Sequence, residues 1–571
     1  MTAVLASLWM PDAATLRLLA PDFVLLGTVV ALLLGAILIG RHTRAAAAIA
    51  LVGALSAAGL ALLSFPLVEA AGSELFDVPA AQVADGLQTP AAPGVLAADR
   101  MGMFFRLLVS LFLVAVLGMW WMFDAPRERH ATEFLVLLVA SALGMMLMTS
   151  AVHLLVMIIA IELASQPSYV LAGFDRWRRP AAEASLKYVI FGATTTGFSL
   201  LFGLFGTLHV PTLAERIATD GGAAGPLLTF ALLALFAGVA FKISAVPFHF
   251  WCPDVFCGAS LPVATWLSVA SKAAGVVLLL RLVQMLIAPH ADAAATLPTL
   301  LAYGLGFLGL LTCTVANLAA YGQTSVRRLL AYSSIAHAGY MLCAGAIAIP
   351  AASLSATASS AIAAYLVVYL FMNLGAFMAL GLVAADTGSE DLPAFSGLGW
   401  RDPATALSLT VCLVSLIGLP PLGGFVVKWW LIYALGSAAL TIPVLWIVTA
   451  GVVINTAISL YYYARIIRQM YLVGEPGAAA ATTSAMPSPS APLVAPLPGK
   501  FMLHLCAVVL LLTGTLMVPA LKRGADYAAD RQYAGPARLD ERLARAGDPH
   551  DSSVGAGDHP TTPDGAAPLQ P

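Results

Sequence analysis

Charge is scarce in this chain. Lysine, arginine, aspartate and glutamate make up 10% of its 571 residues and hydrophobic side chains 60%, and a soluble core of that size needs far more charged surface to stay dissolved. Strands of the outer-membrane barrel kind are missing as well: the apolar runs do not alternate with polar residues but are rich in Leu, Ala and Gly on every face. The six cysteines, Cys252, Cys257, Cys313, Cys343, Cys412 and Cys506, lie in or beside apolar runs and form no paired framework. Only His249, Cys252 and Cys257 approach ligand spacing, and no second ligand pair answers them, so a metal is not expected. A formal net charge of -2 argues against nucleic acid as a partner. The N-terminal stretch MTAVLASLWMPDAATLRLLAPDF lacks the basic start and small-residue site of a cleaved signal, so the first helix is expected to be retained.

What fills the chain instead is a series of apolar runs, each near the ~20 residues that span a hydrocarbon core as a helix. They predict about fourteen spans, near 23–40, 45–65, 101–123, 132–150, 152–173, 186–208, 226–250, 260–286, 298–320, 328–349, 359–384, 403–436, 441–471 and 501–520. Basic residues cluster in loops of one parity: Arg41 and Arg44, Arg127 and Arg129, Arg176, Arg178 and Arg179, Arg327 and Arg328, Arg465 and Arg468. The loop at 67–100 is acidic. Short basic loops stay on the cytoplasmic side, which puts both termini on the opposite side. Residues 476–499 are rich in Ala, Ser and Pro and read as a flexible linker, and 521–571 read as a disordered polar tail. GLGFLG, with Gly304, Gly306 and Gly309, spells a dinucleotide fingerprint, but it lies in an apolar span with no preceding strand, so close helix packing is its expected use.

Four charges stand inside this hydrocarbon: Glu162 in MIIAIELASQPSY, Lys242 in AGVAFKISAVPF, Lys272 in WLSVASKAAGVV and Lys428 in LPPLGGFVVKWW. Each costs roughly 2.5–3.5 kcal/mol at mid-bilayer on insertion scales, so such residues pair or line a hydrated path. Snorkelling or a structural ion pair would explain one of them; four on separate spans favour a path. Lys242 has Pro247 nearby, and Lys428 has Pro420 and Pro421 with Gly423 and Gly424. Proline frees a carbonyl and interrupts the helix, and broken helices in corresponding positions of two halves point to an ion path. Burial disfavours the ammonium form of a lysine, while a carboxylate ~4 Å away returns ~4 kcal/mol to it at an effective dielectric of ~20. Opening and closing such a pair moves a proton, which arginine cannot do because it stays protonated. An unperturbed histidine titrates near neutrality, so His249 and His337 are relay candidates.

FKISAVPFHFWCPDV, PVATWLSVASKAA, RRLLAYSSIAHAGY and GLPPLGGFVVKWW follow one another in order. Together they resemble the antiporter-like membrane subunits of proton-pumping NADH-quinone oxidoreductase, respiratory complex I, and among these the subunit N type, over about 130–471. The resemblance implies an all-α polytopic fold of about fourteen transmembrane helices, with two inverted five-helix repeats and discontinuous helices 7 and 12. It divides the chain into three N-terminal helices (1–131), a first repeat (132–290), a second repeat (291–471), a linker (472–500), a last helix (501–520) and the tail (521–571).

It further implies that Glu162 is the fifth-helix carboxylate, Lys242 its seventh-helix partner, Lys272 the central eighth-helix lysine and Lys428 the twelfth-helix lysine toward the exit. Gln166 and Ser168 stand where the family is usually apolar, and Cys257 where a polar or acidic residue is common. The implied function is proton translocation coupled to electron transfer from NADH to quinone. No cofactor is expected in this chain; NADH, FMN, iron–sulfur clusters and quinone belong to other subunits. Partners are the bilayer, an M-type antiporter-like subunit and small K- and J-type subunits, in a bacterial inner membrane with both termini periplasmic. The competing readings are a cation/proton antiporter subunit without a redox partner and a purely structural scaffold.

Overall fold

The computed structural model describes residues 13–38, 40, 42–69, 74–75, 81–82, 88–89, 94–124, 130–175, 177–191, 196–289, 296–348, 352–474, 493 and 496–529. Arg41, Arg127, Arg129, Arg176, the 476–492 part of the linker and the tail beyond Ala529 lie outside them. We number the principal helices in chain order: α1 Ala20–Leu38, α2 Thr43–Ser64, α3 Arg100–Phe123, α4 Ala131–Met148, α5 Leu154–Ala172, α6 Arg179–Phe191, α7 Thr196–Phe205, α8 Val210–Ile243, which is kinked at Gly225 (φ 51°, ψ -137°) and spans the membrane over Gly225–Ile243, and α9 Trp251–Gly258. After these come α10 Leu261–Ile287, α11 Thr296–Ala320, α12 Val326–Gly345, α13 Ala352–Thr387, α14 Pro403–Ile417, α15 Gly423–Ala439, α16 Leu445–Leu472, α17 Leu497–Gly514 and α18 Val518–Ala529.

Among the described residues, 11 helices are long and apolar enough to cross a membrane. The remaining expected spans are met by helices of another kind. Near 186–208 lie α6 and α7, near 328–349 lies α12, whose Arg, Ser and His residues dilute its apolarity, and 403–436 is broken into α14 and α15. Two pairs of two-residue strands decorate the 67–100 loop.

Every residue of α10 is buried, so this helix is the axis of the molecule. That position explains how it carries Lys272, Arg281 and Gln284: none faces lipid, and each meets protein groups. Small residues bring neighbouring helices close, as membrane packing requires. A Cβ on Gly144 would come within 2.3 Å of the Ala164 backbone nitrogen, which sets α4 against α5. Within GLGFLG, Gly309 lies against Cys343 and Gly306 against Val448, as expected of packing glycines, whereas Gly304 has nothing within 4 Å.

The loops separate by parity onto two faces. On one, residues 96–98, 149–153 and 207–210 are tied together by the Leu96–Ala151 and His153–His209 β-bridges. On the other, Asp254 pairs with Lys187 at 2.7 Å and Arg328 at 3.0 Å, Arg327 pairs with Glu390, and Arg178 and Arg327 line one cavity of about 1210 Å³.

The last span ends earlier than its apolar run predicts. The helix α17 stops at Gly514, and α18 covers 518–529, so the first residues of the tail expected to be disordered, 521–529, are helical. Its Ala525, Ala528 and Ala529 are buried while Lys522, Arg523 and Asp526 are exposed, the pattern of a helix lying on a surface.

Candidate functional site

Two chain breaks organise the site. The helix α8 ends at Ile243 because Ser244 adopts left-handed backbone angles (φ 65°, ψ 37°), and Pro247 then has no N–H with which to resume a helix. The freed Phe241 carbonyl accepts from Trp251 Nε1 at 3.2 Å, and the Val246 N–H donates to Thr312 Oγ1 at 3.0 Å. Lys242 therefore sits in the last turn before the break, where the helix dipole favours a cation.

The second break differs. The helix α14 ends at Ile417, Gly418 takes φ +87°, and α15 begins at Gly423. A Cβ on Gly424 would lie 1.8 Å from the Ser415 carbonyl oxygen, so only glycine permits this approach. Lys428 stands after the break and reaches back: its Nζ donates to the Leu416 and Ile417 carbonyls, both at 2.9 Å. Proline proximity makes the two lysines look alike in sequence; in space one ends its first half-helix and the other caps the preceding one.

Glu162 and Lys242 come to the same region from α5 and α8. Lys242 is buried and donates through Nζ to Ser165 Oγ at 2.8 Å. Glu162, half-buried, accepts from Gln166 Nε2 at 2.8 Å. Among the described residues no ion pair joins Glu162 to Lys242, so in this conformation each is held by an uncharged neighbour on α5. Ser168 instead serves packing, donating to the Ala164 carbonyl and meeting Ser141 on α4. Both polar departures in ELASQPSY thus have partners.

Lys272 follows a single π-helical turn, Leu267–Ser271, a local widening common at functional positions. Its Nζ donates to Ser334 Oγ at 2.6 Å, lies 3.6 Å from Cys252 Sγ and stands over the Phe256 ring. Three residues beyond Ser334 on α12, His337 Nδ1 is 2.6 Å from Tyr365 Oη. Three further on, Tyr340 meets His337 edge to face, accepts from Asn317 Nδ2 at 3.1 Å and carries Lys428 Nζ 4.8 Å over its ring. Positions spaced by three share one side of a helix, so α12 supplies a strip of polar groups from Lys272 to Lys428.

His249 takes no part in this strip. It is buried in the first break against Phe250, with Nδ1 unpartnered, and no hydrogen bond among the described residues links it to any of the lysines. Cys257 is half-buried on α9, and no cluster of three or more potential metal ligands occurs among the described residues.

Two buried ion pairs add charges that the sequence expectations do not include. Arg281 Nη2 meets Asp99 at 2.8 Å with both side chains at most 1% exposed, and Arg281 also donates to the Thr149 carbonyl. Arg106 meets Asp22 at 2.6 Å and donates to Ser150. Both arginines interrupt apolar runs, in MFFRLLVS and LLLRLVQ, which is the signal that identified Lys272. These pairs tie α1, α3 and α10 together on the face of the β-bridges.

Residues 151–459 match a family model described as NADH:quinone oxidoreductase/Mrp antiporter, TM. An Anaeromyxobacter sp. (strain Fw109-5) protein named NADH-quinone oxidoreductase subunit N is 40% identical over 410 residues, 66% of this chain and 76% of that one. A Sorangium cellulosum (strain So ce56) protein named NADH-quinone oxidoreductase subunit N 2 is 41% identical over 410 residues, 68% of this chain and 78% of that one. A chain of respiratory complex I from Thermus thermophilus with bound Aureothin superposes with a TM-score of 0.66 at 30% identity, covering 88% of this chain and 99% of that one. A chain of the Mrp complex from Dietzia sp. DQ12-45-1b shares the fold, with a TM-score of 0.72 at 19% identity over 93% of this chain and 99% of that one.

Proposed function

The chain belongs to the NADH:quinone oxidoreductase/Mrp antiporter membrane family, and from that premise we propose that its buried lysines form the proton-transfer row of a complex I subunit of the N type. The function is proton translocation, driven by electron transfer from NADH to quinone elsewhere in the complex. The observation that carries the role of the lysines is the polar strip of α12: Ser334 binds Lys272, and His337 and Tyr340 lead from there to Lys428. Lysines so placed exchange protons when an acceptor approaches or withdraws.

Under this reading Glu162 is the carboxylate whose approach to Lys242 holds a proton there. Gln166 and Ser165 hold the two apart in the conformation seen. Lys272 is the central acceptor and Lys428 the exit group, its ammonium balanced by helix-end carbonyls rather than by a carboxylate. His337 is a relay between them; His249 has no hydrogen bond among the described residues that connects it to the lysines, and takes no part in the row. The first repeat runs over 132–290 and the second over 291–471, with one break beside a buried lysine in each. The Arg327 and Arg328 face is cytoplasmic and the β-bridged face, with both termini, periplasmic, in a bacterial inner membrane. The flavin, iron–sulfur clusters and quinone site lie in other subunits, and M-type and small K- and J-type subunits flank this one.

The test is purification of the tagged chain from its own membranes. Flavin and iron–sulfur absorbance in the purified assembly supports the reading, whereas a preparation free of redox subunits that exchanges cations for protons makes it an antiporter subunit. In the redox assembly, Lys242→Arg is expected to lose proton pumping, because arginine does not release its proton. Unchanged pumping rules out proton exchange at that position.

A further inference from the structure

We propose that the cavity between α13, α15 and α18 binds one aminophospholipid by its headgroup. The cavity measures about 770 Å³, within the range of small-ligand sites. Its aromatic wall is Trp429, Trp430 and Tyr433 of α15, and its polar wall is Ser360 of α13 with Lys522 and Asp526 of α18.

Position and chemistry agree on a lipid. The helix α18 starts at Val518, directly after the last membrane helix ends at Gly514, so it lies at a bilayer boundary. It is held there by the bond from Ser360 to Asp526, by Arg100 over the Tyr527 ring and by Tyr527 against Phe65. Trp429 and Tyr433 are 56% and 65% exposed beside it, and the amphipathic rings of Trp and Tyr are the side chains that pack apolar chains on one side and polar headgroups on the other.

Lys522 and Asp526 are four residues apart and both line the cavity, so a cation and an anion are offered side by side. A phosphate suits the lysine. The carboxylate disfavours a headgroup that is anionic throughout and suits a primary ammonium, which donates hydrogen bonds as a quaternary one cannot. Phosphate and primary ammonium together describe a phosphatidylethanolamine-type lipid. Its acyl chains would run along α15, the helix that also carries Lys428.

The test uses the full chain with its co-purifying subunits, reconstituted in nanodiscs of equal parts phosphatidylethanolamine and phosphatidylglycerol and then released for native mass spectrometry. One retained phosphatidylethanolamine is expected. Lys522→Glu should lower retention of both lipids by about tenfold, the effect of removing one charge-assisted hydrogen bond; Lys522 is exposed, and Lys522→Gln serves if the glutamate variant does not assemble. Asp526→Asn should keep a bound lipid but lose the preference for phosphatidylethanolamine. Retention of no lipid, equal retention of the two by the unaltered protein, or a preference indifferent to Asp526→Asn overturns the proposal. So does crosslinking of Tyr433→Cys to a neighbouring subunit that fills the cavity.

Discussion

Lys242 donates to Ser165 across 2.8 Å, and both residues are buried. The serine lies three positions after Glu162 on α5, so the lysine is parked one turn from the carboxylate it would need as a proton-holding partner, and that carboxylate is occupied by Gln166. In this structure Lys242 is therefore bound to a hydroxyl and not to the carboxylate. In the proposed row, pairing requires that Lys242 exchange one acceptor on α5 for another.

Removing the hydroxyl should disturb that exchange. Ser165→Ala leaves the buried Lys242 ammonium short of an acceptor, at a cost of about 1–3 kcal/mol, and biases it toward Glu162. Pumping in inverted membrane vesicles, read by a pH-sensitive dye, should fall by roughly tenfold for a bias of that size, and Ser165→Thr should restore it. Equal pumping by Ser165→Ala and the unaltered protein would show that the contact is incidental.

The Asp99–Arg281 pair is structural. Both side chains are at most 1% exposed, and losing one partner of a buried pair costs about 3–5 kcal/mol because the other charge remains. Asp99→Asn should lower the thermal unfolding temperature of the detergent-solubilised protein. A double variant, Asp99→Leu with Arg281→Met, should recover much of the loss; no recovery would assign the loss to the other bonds of these side chains, from Arg281 to the Thr149 carbonyl and from the Gly102 amide to Asp99.

Lys428 has two separable duties. It satisfies the Leu416 and Ile417 carbonyls, and in the proposed row it releases a proton. Lys428→Arg keeps donors for the carbonyls but not the exchange, and is expected to assemble normally and pump poorly. Lys428→Met leaves two acceptors unsatisfied, at about 1–3 kcal/mol each, and should also reduce the assembled complex on native gels. Identical behaviour of the two variants would merge the duties into one.

Asp402 caps the start of α14, accepting from the Thr405 amide at 3.1 Å and from Lys500 at 2.7 Å. Burial works to raise its pKa, but Lys500 and the Thr405 amide outweigh burial and hold the carboxyl below its ordinary value of 3.8. A carboxyl depressed on folding adds stability that is complete above the unfolded value and is lost as pH falls through the folded one. Asp402→Asn should therefore lower thermal stability at neutral pH and flatten its decline below about pH 4, the ordinary carboxylate range. An unchanged acid limb would exclude this contribution.

Lys242, Lys272 and Lys428 were legible in the sequence because a charge in hydrocarbon is expensive enough to be noticed on its own. Pro247, Pro420 and Pro421 marked the breaks for a similar reason, since proline cannot continue the hydrogen-bond ladder. Ser165, Ser334 and Tyr340 gave no such signal: a hydroxyl in a helix can bond its own backbone, so its presence predicts little. Their lysine partners lie 77 and 62 residues away for the two serines, a relation that only the packing creates. Arg106 and Arg281 carried the same signal as Lys272 and were passed over. The helix α18 was hidden because its buried side is alanine, too weakly apolar to stand out from a polar tail.

The most direct measurement is the proton-to-electron ratio of the purified complex carrying Lys272→Arg, reconstituted in sealed liposomes and supplied with NADH and quinone. If the α12 strip conducts protons through Lys272, quinone reduction continues while the ratio drops below that of the unaltered complex. An undiminished ratio at normal turnover would show that protons cross without this lysine ever giving one up.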